Sequence, residues 1–116
     1  MRLIRSVGFA LAGLRALLKY ERNAQWHLVF AIAALITGML LHLSKPEWLV
    51  ITLCITGVIA AEAFNTAIEK LCDALHPELD PKIKAVKDLS AAGVLILSLG
   101  ALVCGGIIFL SRLLAD

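Results

Sequence analysis

Apolar residues recur in this chain with helical spacing over a short N-terminal segment and then in three long runs that polar residues rarely interrupt. In the first segment, at ~100° per residue, Ile4, Val7, Leu11, Leu14 and Leu18 fall on one face, and Arg2, Arg5, Arg15 and Lys19 spread over another sector. This predicts an amphipathic helix over 2–20 lying in the headgroup region of an anionic leaflet. The alternative is a helix of soluble type packed on protein. The three runs, about 24–43, 48–68 and 89–111, each reach the ~20 residues that ~30 Å of hydrocarbon requires. The first has no Lys, Arg, Asp or Glu and carries Trp26 near one end as an interfacial aromatic. Ser44-Lys45-Pro46-Glu47 then turns the chain, and Trp48 opens the second run, which contains Glu62. A polar segment, 69–88, is broken by Pro77 and Pro81 and read as a loop. The third run holds Gly93, Gly100, Gly105 and Gly106, which suit close helix–helix approach.

Composition sharpens this picture into an all-α integral membrane fold, a surface helix plus three transmembrane helices in one domain spanning 1–116. The 116 residues are 60% hydrophobic and 17% charged, against ~45–50% and ~25% in soluble domains. So short a chain has no core able to hold that excess, and lipid must cover it. A net charge of +2 gives no ground for a nucleic-acid partner. Cys54, Cys72 and Cys104 are widely spaced and read as small hydrophobes rather than a disulfide framework. Arg15 and Lys19 follow the short N-terminal apolar run with no small-residue cleavage site, unlike a secretory signal. Nine basic residues (Arg2, Arg5, Arg15, Lys19, Arg22, Lys70, Lys82, Lys84, Lys87) fall on one side of the predicted spans, and Lys45 and Arg112 on the other. The positive-inside rule then puts the N-terminus and the 69–88 loop in the cytoplasm.

The chemistry-bearing stretch is EAFNTAIEKLCD, Glu62 to Asp73. On a helical wheel Asn65, Thr66, Glu69 and Asp73 lie within ~60° of Glu62, and Glu62 sits ~10 Å deeper than Glu69. An ionisable group at that depth costs roughly 2.5–3.5 kcal/mol, and such groups are usually functional. Simple snorkelling is the competing reading. Lys87-Asp88 opens the third span, where Asp88 is expected to cap the helix and Lys87 to contact phosphate or merely anchor the interface. Glu21-Arg22-Asn23 joins the surface helix to the first span and needs no function by itself. Phosphate-loop, dinucleotide and protein-kinase signatures are missing. Any ATP must therefore be held through Mg²⁺ on helical carboxylates and through Lys or Arg. His27, His42 and His76 do not form a metal-binding spacing. In a single chain Glu62 is expected to face lipid or a thin gap, so a neighbouring subunit is expected to bury it.

The motifs ERNAQWHL, EAFNTAIEKLCD and KAVKDLSAAGVL, in this order along a surface helix and three spans, resemble the small prokaryotic diacylglycerol kinase/undecaprenol kinase family over nearly the whole chain. The resemblance implies a homotrimer of the bacterial cytoplasmic (inner) membrane, with active sites shared between subunits. Its reaction transfers the γ-phosphoryl group of MgATP to a lipid alcohol. By position, Glu62 would be the general base and Glu21 and Glu69 the Mg²⁺ ligands. Asn65 would orient the base or a phosphate oxygen, and Trp48 and Ala91 would stand on the substrate side. Lys87 would neutralise the transferring phosphoryl group, with Asp88 nearby. Arg2, Phe9, Glu78 and Asp80 align with further nucleotide contacts. Phe9 replaces a family tyrosine, keeping adenine stacking but losing a hydroxyl, and Leu11 replaces a family tryptophan. ERNAQWHL and His76-Pro77 look more like the undecaprenol branch, with diacylglycerol the alternative acceptor. From another class, a small proton- or cation-conducting oligomer would use Glu62 and Glu69 as a relay.

Overall fold

In the computed structural model, which describes residues 1–115, the chain forms four helices: α1 (Arg2–Tyr20), α2 (Arg22–Leu40), α3 (Lys45–Leu75) and α4 (Pro81–Leu114). The last three are long and apolar enough to cross a membrane. The amphipathic segment is helical over the expected 2–20, and its apolar face does not pack on protein. Leu3, Ile4, Val7, Leu11 and Leu14 are all exposed, and Leu17 alone is buried. A helix that keeps so much apolar surface beside three membrane-length helices belongs at the interface with lipid.

A single residue makes the elbow between α1 and α2. Glu21 is extended (φ −98°, ψ 113°), ending one helix and starting the next. Its N–H donates to the Leu17 carbonyl at 3.0 Å, and its own carbonyl accepts from Gln25 N at 3.1 Å. The Gln25 amide reaches back to the Leu18 and Lys19 carbonyls at 3.1 and 3.0 Å, satisfying acceptors that the end of α1 would otherwise orphan.

The opposite, far end is stapled more heavily. His42 adopts a left-handed φ of 53°, and Leu43 N donates to the Gly38 carbonyl at 3.2 Å, closing α2. Ser44 and Glu47 form a capping box at the start of α3: Ser44 N donates to Glu47 Oε1 at 2.9 Å, and Glu47 N donates to Ser44 Oγ at 3.4 Å. The Glu47 carboxylate also receives Arg112 from the end of α4, with Nε at 2.9 and 3.1 Å from its two oxygens. Leu43, Ile51 and Ile108 pack beside these groups with Trp48, Ile55 and Phe109 around them, the main buried apolar cluster among the described residues.

Helix α3 is the axis. It packs along α4 for most of its length and against α2 on another side. At ~1.5 Å per residue, α3 and α4 are ~46 and ~51 Å long, well beyond the hydrocarbon thickness. Both therefore continue past the membrane at the elbow end. The polar 69–88 segment is accordingly not one loop: α3 runs to Leu75, α4 starts at Pro81, and residues 76–80 alone connect them. Asp80 caps α4, its Oδ1 accepting from Lys82 N at 2.7 Å. Asp88, expected at the cap, lies two turns inside the helix, because Pro81 fits the first helical position and starts α4 early.

Gly38 matters for closure of the far end: a Cβ there would fall 2.7 Å from the Trp48 ring and 3.0 Å from Leu43. Gly38→Leu is expected to overpack this contact and cost about 1–3 kcal/mol. The measurement is a lowered thermal midpoint in detergent relative to Gly8→Ala, where nothing lies within 4 Å of the added methyl.

Candidate active site at the elbow end

The acidic stripe of α3 turns inward. Glu62 is 3% exposed and Thr66, one turn on, is 9% exposed. Asn65 and Glu69 are half-buried, and Asp73 emerges into the open. The expectation that Glu62 would need a second chain to bury it is overturned. The elbow brings the start of α2 onto α3, and His27 meets the carboxylate, Nε2 to Oε1 at 3.1 Å. Ala24 and Ala31, one turn to either side of His27, are both buried. Their small side chains let α2 come close enough for the imidazole to reach.

Lower on the stripe the Asn65 amide donates to Glu69 Oε1 at 3.2 Å, while Asn65 Oδ1 is buried without a partner. Lys87 reaches from α4 to Asp73 Oδ1 at 2.6 Å and feels the Glu69 charge behind it. This pair ties α4 to the acidic face of α3 where both helices leave the membrane. Glu21 is half-buried at the elbow, whose helix α1 touches α3. Among the described residues no three His, Cys, Asp or Glu side chains gather closely enough to form a metal cage.

Other sequence-derived positions fall elsewhere. Trp48 is ~21 Å from Glu62 along α3, 14 residues at ~1.5 Å each, in the far-end apolar cluster. There it packs on Gly38 and its neighbours. Asp88 pairs with Lys84 at 2.6 Å on the outer face of α4. Asp80 is engaged as the α4 cap, and His76 Nδ1–H donates to the Glu78 carbonyl at 2.9 Å, shaping the connecting turn. Arg2, Phe9, Glu78 and Ala91 are exposed. His27 is the site residue that sequence reasoning passed over. Its signal was available: the first span contains a single polar ring near the end that must lie beside the Glu62 end of the second span.

Helical carboxylates, a lysine on the facing helix and the adjoining surface helix gather the polar side chains of this membrane protein at the elbow end. Residues 8–109 match the family described as prokaryotic diacylglycerol kinase. The chain is 38% identical over 112 residues to an undecaprenol kinase of Bacillus subtilis, covering 97% of this chain and 91% of that one. It is 30% identical over 114 residues to a diacylglycerol kinase of Synechocystis, covering 97% of this chain and 65% of that one. The chain belongs to the prokaryotic diacylglycerol kinase family, and it is a lipid kinase.

Burial distinguishes the carboxylates chemically. A water-soluble carbodiimide with an amine nucleophile is expected to modify exposed Glu78 and Asp73 rapidly and to leave Glu62 unmodified in the folded protein. Peptide mass mapping checks this, and labelling of Glu62 as fast as Glu78 would contradict the inward orientation of the stripe.

Proposed function

We propose that this chain transfers the γ-phosphoryl group of ATP, with Mg²⁺, to the single hydroxyl of undecaprenol. The observation that carries the reading is the buried Glu62 at the head of an acidic helix face, in a chain 38% identical to an undecaprenol kinase across nearly its whole length. Diacylglycerol is the second acceptor, supported by the 30% identity to a diacylglycerol kinase. Both lipids present a primary hydroxyl at the interface, so one carboxylate serves either.

Glu62 is the general base. It takes the hydroxyl proton as the lipid oxygen forms its bond to the γ-phosphorus, and ADP leaves with the electrons of the broken P–O bond. The oxygen groups below it fit a hard divalent cation: an unpartnered amide oxygen of Asn65 adjoins the Glu69 carboxylate, the ligand chemistry Mg²⁺ selects. Glu69 and Glu21 would hold the ion, which when bound supplies charge neutralisation for the phosphates. Asn65 orients Glu69 through its amide. Lys87, steadied by Asp73, faces the nucleotide phosphates. Arg2 and Phe9 on α1, together with Glu78, Asp80 and Asp88 around the start of α4, border the nucleotide. The kinase reading is preferred to the conduction alternative because the family match and both relatives are lipid kinases.

We place the protein in the bacterial cytoplasmic membrane with the elbow end facing the cytoplasm, supported by the nine basic residues at that end. We propose a homotrimer. Gly93 and Gly100 lie seven residues apart on one face of α4 with nothing packed within 4 Å, a surface suited to another helix.

Purified protein given labelled ATP, Mg²⁺ and either lipid is expected to phosphorylate undecaprenol in preference to diacylglycerol, and EDTA to stop the reaction. Glu62→Gln should lower kcat by ~10²–10⁴-fold while ATP binding persists. Transfer to neither lipid by folded protein would end the reading, and near-normal turnover by Glu62→Gln would end the assignment of the base.

A further inference from the structure

An acidic side chain inside a helix bundle is useful as a base only if its oxygens are held where the proton will be. We infer that His27 is the positioning residue for this phosphotransfer: its Nε2 stands 3.1 Å from Oε1 of Glu62, and this polar contact holds Oε1 and leaves Oε2 for the acceptor hydroxyl. The inference rests on reading Glu62 as the general base and adds the group that orients it.

Four observations support it. The contact is 3.1 Å, and the Glu62 side chain is 4% exposed against 23% for His27. The imidazole is therefore open to its surroundings far more than the carboxylate. Among the described residues no other side chain makes a hydrogen bond or ion pair with the Glu62 carboxylate, so its orientation is set from one side. The contact is also built into the packing. Buried Ala24 and Ala31 flank His27 on α2, and buried Val58 and Thr66 flank Glu62 on α3, sealing the pair along both helices. Finally, His27 forms the end wall of an apolar groove of about 630 Å³ between α2, α3 and α4, whose other walls include Ile51, Val58 and Phe109. Apart from this imidazole, a serine hydroxyl and a cysteine thiol, the groove is apolar.

With one oxygen held, the carboxylate keeps a single free acceptor. A base must stand within ~2.6–3.2 Å of the proton it takes, and a displacement of about 1 Å can cost ~10²-fold in rate. In the step itself the hydroxyl proton moves to Oε2 of Glu62. His27 stays beside Oε1 throughout.

The test compares His27→Leu, which has no donor, with His27→Gln, whose amide can reach the same oxygen, in purified protein with the acceptor lipid that the parent phosphorylates. His27→Leu is expected to lower kcat ~10²-fold and to leave KM for MgATP within about twofold of the parent, as expected for a group that positions the base without touching MgATP. His27→Gln should recover most of the lost kcat. In a Glu62→Gln background, His27→Leu should cause no further loss, since the two act as a unit. If His27→Leu fails to fold, His27→Asn replaces it: its shorter amide cannot span to Oε1, and it should show the same fall in kcat. Parental kcat in the donor-less or shortened variant, or a glutamine variant no better than leucine, overturns the inference. Parental activity of Glu62→Gln alone would instead remove the base reading, so the two failures are distinguishable.

Discussion

A carboxylate placed within a lipid-covered bundle must find a polar partner, and the meeting of Glu62 with His27 at 3.1 Å is the constraint around which the elbow end of this protein is organised. Leaving such a group unpaired would cost several kcal/mol. Satisfying it requires α2 to lie close against α3, which the alanines on either side of His27 permit. That closeness in turn requires the chain to bend sharply between α1 and α2, and one extended residue, Glu21, with Gln25 capping the preceding carbonyls, makes the bend. The surface helix is thereby fixed directly above the acidic face, where a water-soluble phosphate donor and an oil-soluble alcohol can meet.

Stability and chemistry are separated along the same helices. The far end holds the capping box, the Glu47–Arg112 pair, the Trp48–Gly38 contact and the principal apolar cluster. The elbow end holds the buried carboxylate, the unpartnered Asn65 oxygen and the Lys87–Asp73 pair. Because α3 and α4 run through both ends, anchoring at the far end limits how much they can splay at the other. The working end can then tolerate polar groups that would weaken a core.

A lipid kinase of this size dispenses with the glycine-rich phosphate loops of larger kinases. In their place stand side chains on helices, whose rise of ~1.5 Å per residue sets the depth of each group. Glu62 lies ~10 Å deeper than Glu69 on this geometry, so in the proposed mechanism one face offers an acceptor-side group and, nearer the water, groups for a charged donor. The fold thus converts position along a helix into position across an interface.

Much of this was legible in the chain itself. Span number, the extent of the surface helix, the single acidic stripe and the family motifs follow from local periodicity and hydropathy, because lipid forces apolar runs to be helical whatever their neighbours do. What the sequence left open depended on how the helices rotate and pack against one another. The burial of Glu62 by its own chain, the choice of Asp80 over Asp88 as cap, the far-end role of Trp48 and the partnership of His27 are all of this kind. A polar ring on an apolar helix reads the same whether it faces lipid or a carboxylate. Only the close approach of α2 to α3, permitted by the small side chains of Ala24 and Ala31, decides which it meets.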